Sequence, residues 1–273
     1  MTDQSLRRVL LGRGFAGEVV ELSDLRRSWS CSFGELGSQD PFAALKALEA
    51  SLQKGEVLAG WLGYECALAL ETSLHLPPPT HAIPIAWIGV FGGREAAGEL
   101  PAPQHVPAPQ SLDEGDGAHL YQQRVQNIRQ RITRGDVFQV NYSHRQRAQF
   151  APSPDRLIDQ LPWADALGAS YGAFFDLGYA SLVSASPELF LSLDRGQLAG
   201  EPVKGTRPRS PDPETDRQAL ADLQADPKDR AENIMIADLL RNDLSKVAED
   251  GSVHEPVICE PRSHAHVHHL FSR

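Results

Sequence analysis

Four short blocks in the C-terminal half of this chain carry side chains able to do chemistry. The first is Glu201-Pro202-Val203-Lys204-Gly205-Thr206. A lysine amine is a nucleophile only when neutral, so Lys204 could act if burial or a neighbouring cation held it unprotonated. Gly205 lets backbone approach a ligand, and Thr206 can donate a hydrogen bond to a carboxylate. By spacing alone, the same lysine also reads as an exposed residue near a turn. The second block is Ser186-Pro187-Glu188, with the glutamate at what looks like a strand end. The third is Lys228-Asp229-Arg230-Ala231-Glu232-Asn233. Asp229 and Glu232 sit three apart, so both project from one helix face. First-turn acids are also favoured by the helix dipole alone. The fourth, Val267-His268-His269-Leu270, ends the run His264-Ala265-His266-Val267-His268-His269. Its spacing by two and one is strand-like, and it lacks the flanking cysteine or glutamate of a helical zinc motif.

The elements that must position these residues can be read from periodicity. Ala180 to Leu193, then Asp194-Arg195-Gly196 and Gln197-Leu198-Ala199, reads as a hairpin leading into the lysine block. Lys228 to Asp243 reads as a helix with Met235, Ile236, Leu239 and Leu240 as its apolar side. Tyr121, Val125, Ile128 and Ile132 form one stripe of an earlier helix that Gly135 ends. Val137 to Ala148 then alternates as a half-buried strand, with Gln139 and Asn141 on its polar face.

Nearer the N-terminus, Pro41 to Leu52 reads as an amphipathic helix with Asp40 as its N-cap. Val57 to Glu65 and Ile83 to Phe91 read as buried strands, the first packing Trp61. Residues 94–117, rich in proline and ending Asp113-Glu114-Gly115-Asp116-Gly117, read as a solvated linker. The expected division is therefore 1–93, a linker at 94–117, and a domain at 118–273.

The chain has 273 residues and a net charge of −10, with 26 Lys and Arg against 36 Asp and Glu and no basic block. That disfavours a nucleic-acid groove, though a local pocket can still bind an anionic metabolite. The sequence holds no apolar run of about 18 residues, the length that marks a membrane span. Its first residues do not read as a secretory signal. The three unpatterned cysteines, Cys31, Cys66 and Cys259, fit a reducing cytoplasm.

Taken in order, the four blocks closely resemble the chorismate-binding domain of the anthranilate synthase component I family. Within it they are most similar to component I of para-aminobenzoate (aminodeoxychorismate) synthases. The resemblance covers nearly all of 60–273 and is dense from 118. It implies an α+β fold of layered antiparallel sheets with outer helices. It also implies amination of chorismate to 4-amino-4-deoxychorismate, on the route to p-aminobenzoate and folate. Ammonia would come from a glutaminase partner subunit. Lys204 would attack C2 of chorismate, Glu188 would protonate the departing C4 hydroxyl, and His269 would stand near that hydroxyl. Gly205, Thr206 and Gln139 would bind substrate. Glu232 and Asp229 would face Mg²⁺, Asp229 through water.

Anthranilate synthases typically carry alanine where Lys204 stands, and isochorismate and salicylate synthases carry a water-activating lysine where Gln139 stands. Those two activities are the weaker expectations. Gly60-Trp61-Leu62-Gly63-Tyr64-Glu65 resembles the gly-aromatic signature of the family's N-terminal region, without enough sequence before it to imply a ligand pocket. Arg273 follows closely on the His-His-Leu motif. The family's glycine-rich Gly-Gly-Ser-x-Thr-Gly-Ala-Pro-Lys segment, its second pair of metal-binding glutamates and its Gly-Gly-Gly-Ile turn are absent from the sequence. The expectation is thus a C-terminally truncated chain with little turnover of its own, or a non-catalytic one that binds chorismate or the glutaminase subunit.

Overall fold

A computed structural model describes residues 6, 8–71, 73–79, 83–98, 108–113, 115–143, 145–151 and 169–273. The chain divides into two compact units. One comprises Met1–Pro101 with Trp163–Arg273, the other Ala102–Pro162.

In the first unit, a six-stranded antiparallel sheet has the order β3-β4-β2-β1-β7-β8. Its strands are β1 (Arg8–Leu11), β2 (Val20–Cys31), β3 (Val57–Leu62), β4 (Ala86–Ala96), β7 (Tyr171–Asp176) and β8 (Ser181–Ser186). The sheet takes strands from both sides of the 94–117 stretch, because β1 pairs with β2 on one edge and β7 on the other. Its core is aromatic. Trp61 stacks on Trp87 with ring centroids 5.6 Å apart, and Phe175 meets both rings edge-on at 5.3 and 5.9 Å. Trp61 also donates its indole N–H to the Pro84 carbonyl at 3.1 Å, satisfying the one polar atom its burial would strand. Helix α1 (Arg13–Ala16) is a single turn. Helix α2 (Pro41–Ala50) starts as its sequence requires, with the Asp40 carboxylate accepting the N–H groups of Phe42 and Ala43.

The same unit holds the hairpin β9 (Leu189–Asp194) and β10 (Gln197–Glu201), and a three-stranded sheet. The latter runs β11-β13-β12, from β11 (Val203–Pro208), β12 (Glu260–Ser263) and β13 (Val267–Phe271). The helices α4 (Pro213–Ala225) and α5 (Pro227–Leu244) pack against it. Each begins with an aspartate cap, Asp212 or Asp226, followed by proline at the first helical position. The second unit contains β5 (Ser111–Asp113) paired with β6 (Arg147–Gln149), and helix α3 (Ala118–Arg134), which Gly135 ends in a left-handed conformation.

Three expectations are corrected. Ala180 to Leu193 is not one arm of a hairpin. It splits at Pro187-Glu188 into β8, which pairs with β7, and β9, which pairs with β10. Proline has no N–H to give a ladder, so the chain changes sheets there. Val137 to Ala148 is not a continuous strand, since among its described residues only Arg147 and Ala148 pair, as part of β6. Phe138 and Val140 are exposed, and alternation without a neighbouring strand leaves the backbone without a ladder. In α5 the buried residues are Asn233 and Ala237, whereas Met235 and Leu239 of the expected apolar side are exposed. Asn233 can occupy the interface because its polar atoms are used, its amide donating to the Leu270 carbonyl at 3.1 Å and its oxygen accepting from Ser272. Pro101, Pro103, Pro107 and Glu114 of the expected linker lie outside the described residues.

Candidate active site

The lysine block lies on β11, which runs antiparallel to β13 with Lys204 opposite Leu270 and Thr206 opposite His269. Gly205 sits between them as a bulge, with φ of 81°. A side chain there would meet the Cβ of Asp229 at 3.0 Å and the Cδ1 of Leu223 at 3.1 Å. Glycine therefore serves twice, by taking a left-handed conformation and by letting α4 and α5 close beneath the bulge.

Glu188 follows the proline at which the chain changes sheets. Its Oε1 accepts the backbone N–H of Val203 at 3.2 Å, so the carboxyl is held beside the residue preceding Lys204. Ser186 fixes the approach, its hydroxyl accepting the Glu188 N–H at 3.3 Å. His269 reaches the same block from β13. Its Nδ1 lies 3.1 Å from Thr206 Oγ1 and 3.4 Å from the Gly205 carbonyl oxygen. With Nδ1 occupied on the protein side, Nε2 is the nitrogen that can address a substrate. The His264 ring stands edge-on to His269 at 5.4 Å, and burial, aided by the His269 and Arg262 charges, pulls the His264 pKa down.

Asp229 and Glu232 project from the first turns of α5, but their surroundings differ. Asp229 Oδ2 is 2.9 Å from Arg207 Nη1, with 13% of its side chain exposed. The same guanidinium reaches Asp226 Oδ2 at 2.9 Å through its other terminal nitrogen. Asp226 is held below the usual carboxylate range, first by the Asp229 N–H that it caps, with Lys228 N–H and Arg207 adding. Glu232 makes only a loose contact with Lys228, at 3.6 Å, and is 39% exposed. Among the described residues no group of three or more His, Cys, Asp and Glu side chains could hold a metal ion. Mg²⁺ keeps several waters and needs only one or two protein carboxylates together with substrate oxygens. Glu232 fits that limited role. Asp229, already committed to Arg207, fits it only through water.

Sheet pairing and the Val203 tether thus bring Glu188, Gly205, Thr206 and His269 to the two ends of the block, with Asp229 directly beneath Gly205, whereas Lys204 stands opposite Leu270 and not His269. Gln139 belongs to the other unit, half-buried in an irregular stretch after α3. That stretch is tied to the start of the same helix, since Tyr142 donates to Asp116, which also accepts from Arg124. Sequence reasoning missed Arg207. Its signal was present: an arginine one residue beyond the lysine block, and an aspartate cap before Pro227.

The chain belongs to the chorismate binding enzyme family, whose model matches residues 18–273. Anthranilate synthase component 1 3 of Haloarcula marismortui is 41% identical over 170 residues, covering 62% of this chain and 33% of that protein. Aminodeoxychorismate synthase component 1 of Klebsiella aerogenes is 40% identical over 152 residues, covering 56% of this chain and 33% of that protein. The chain therefore spans about a third of the length of the curated relatives it matches. The crystal structure of anthranilate synthase component I from Streptococcus pneumoniae superposes with a TM-score of 0.71 at 21% identity, covering 93% of this chain and 67% of that one. At that identity the likeness establishes the fold, which is the α+β architecture expected from the sequence. Among the described residues, no helix is long and apolar enough to cross a membrane.

Proposed function

We propose that these residues serve the amination of chorismate to 4-amino-4-deoxychorismate, for p-aminobenzoate and folate synthesis, in the cytoplasm. The observation that carries this reading is a lysine set in a glycine bulge between a glutamate-tethered residue and a histidine-bonded threonine. In this scheme the neutral Lys204 amine forms a bond to C2 of chorismate. The ring double bonds shift, and the C4 hydroxyl leaves as water with a proton from Glu188. One Glu188 oxygen already accepts the Val203 N–H, which leaves the other to carry that proton. Ammonia then bonds to C4, the double bonds shift back, and the Lys204 amine departs from C2. His269 orients the leaving hydroxyl through Nε2, while Thr206 holds a polar group of the substrate. Mg²⁺, when bound, supplies positive charge to a substrate carboxylate, and Glu232 is the residue that would hold it, with Asp229 reached through water. A glutaminase subunit is the proposed source of ammonia, a role that the component 1 names of the relatives support.

A second reading is amination at C2 with loss of pyruvate to give anthranilate. The 41% identity to the Haloarcula marismortui protein favours it. Product analysis separates the two. Because the match covers a third of the Klebsiella aerogenes relative, the assay uses both the 273-residue chain and the same chain extended by that relative's C-terminal part. Ammonium-dependent formation of 4-amino-4-deoxychorismate by the extended chain is the expected outcome, with little turnover by the unextended one. Anthranilate and pyruvate as the products would refute the assignment.

A further inference from the structure

Successive side chains of a strand point to opposite faces, so His268 and His269 of β13 serve different surroundings. His269 meets Thr206. His268 is turned away and only 2% exposed, yet both its ring nitrogens are engaged. Nε2 lies 3.0 Å from Asp216 Oδ1, and Nδ1 lies 2.8 Å from Ser263 Oγ. Asp216 belongs to the first turn of α4 and Ser263 closes β12, so one imidazole joins three elements.

The partners are themselves fixed. Asp216 accepts from Arg209 Nε and Nη2, both at 2.9 Å, and from the Ser210 N–H at 2.9 Å. Arg209 also donates to the His264 carbonyl at 2.7 Å, and its backbone N–H to the His266 carbonyl at 3.0 Å. It therefore holds the turn between β12 and β13 as well. These donors, the Arg209 side chain foremost, keep Asp216 far below the usual carboxylate range. An ionised carboxylate can only accept, so His268 Nε2 carries a proton. In the neutral ring, Nδ1 then accepts the Ser263 hydroxyl.

A buried imidazole with two hydrogen bonds gives little net stability over an apolar residue of like volume. What it adds is orientation. We propose that His268 is a positioning residue: by bracing β13 against Asp216 and Ser263, it fixes the ring of His269 against Thr206 at the candidate site. Its effect on turnover rests on the amination reading above, whereas its effect on the His269 ring does not.

Long-range ¹⁵N–¹H spectra of the 273-residue chain report the tautomer and exchange of each histidine ring. In the parent chain, His268 is expected as the Nε2-protonated tautomer with a slowly exchanging ring proton, and His269 as a single species. His268→Phe fills the space but removes the brace, and the His269 ring signals should shift and broaden. In the chain extended as above, kcat should fall by up to ~100-fold with KM little changed, the pattern of a reacting group displaced by about an ångström. His268→Gln, whose amide can donate to Asp216 and accept from Ser263, should recover most of both effects. Should His268→Phe fail to fold, Ser263→Ala and Asp216→Ala each remove one arm and give the same readout. Identical His269 ring signals in all folded variants would overturn the proposal, whatever the product. Anthranilate formed with the ring signature intact would instead sink the amination reading and leave the brace standing.

Discussion

The Glu188 carboxylate and the Val203 backbone N–H are joined at 3.2 Å, across fifteen residues and between two sheets. This one bond holds a carboxyl on the backbone of the residue that precedes the nucleophile candidate. It also separates two consequences of mutating Glu188. Gln keeps an oxygen for the Val203 N–H but cannot supply a proton, whereas Ala loses both. In the extended chain, Glu188→Gln should lower kcat by about 10²–10⁴-fold, the usual worth of a general acid. Its thermal midpoint should match the parent. Glu188→Ala should show the same kinetic loss together with a lower midpoint. Steady-state kinetics alongside calorimetry checks both, and a Glu188→Gln enzyme with parental kcat would remove the acid from the scheme.

Gly205→Ala tests the bulge. The new methyl would stand 3.0 Å from Asp229 Cβ on a backbone with φ of 81°. Strain of this kind costs about 1–3 kcal/mol. Urea unfolding should show a lower midpoint at an unchanged slope. No change in midpoint would mean that α5 does not approach β11 as described.

The parts of the fold that could be read from the sequence are those announced by local chemistry. Asp40 before Pro41 and Gly135 after Arg134 mark helix ends because caps act within a turn of the residues they serve. The alternation from Val137 was misleading, because a strand also needs a neighbour, and neighbours are set by distant sequence. Pro187 was the available signal for the change of sheets, masked by strand-like residues on either side. In α5, Ile236 and Leu240 of the expected apolar run are half-buried beside Asn233 and Ala237, whereas Met235 and Leu239 face out. A buried asparagine is acceptable only when its partners are known, and those partners, Leu270 and Ser272, lie 37 and 39 residues away. For the site, residue types and order were legible, while the contacts of Arg207 and His268 depend on a register that no local pattern encodes.

Acid sensitivity should appear away from the site. Glu56 is 3% exposed in its side chain and accepts from Arg27 Nη1 at 3.0 Å and Nη2 at 2.8 Å. Those bonds first, then the Gln53 N–H, pull its pKa from the ordinary 4.5 to about 2. A carboxyl depressed in the folded state stabilises above its unfolded value, and that stabilisation is lost as pH falls toward the folded one. Stability should therefore decline between pH 4.5 and about 2, and Glu56→Gln should flatten that part of the profile. Urea midpoints measured across the interval decide the matter, and parallel profiles would exclude Glu56 as a source of the decline.

The most direct test of the central claim is the fate of Lys204 itself. The extended chain is mixed with chorismate and no ammonia, quenched in acid, and analysed by intact mass and peptide mapping. The expected result is an adduct of chorismate less one water on Lys204, absent in Lys204→Ala, and discharged as 4-amino-4-deoxychorismate when ammonium is added before the quench. An unmodified Lys204, with Lys204→Ala forming the C4-aminated product at the parental rate, would contradict it.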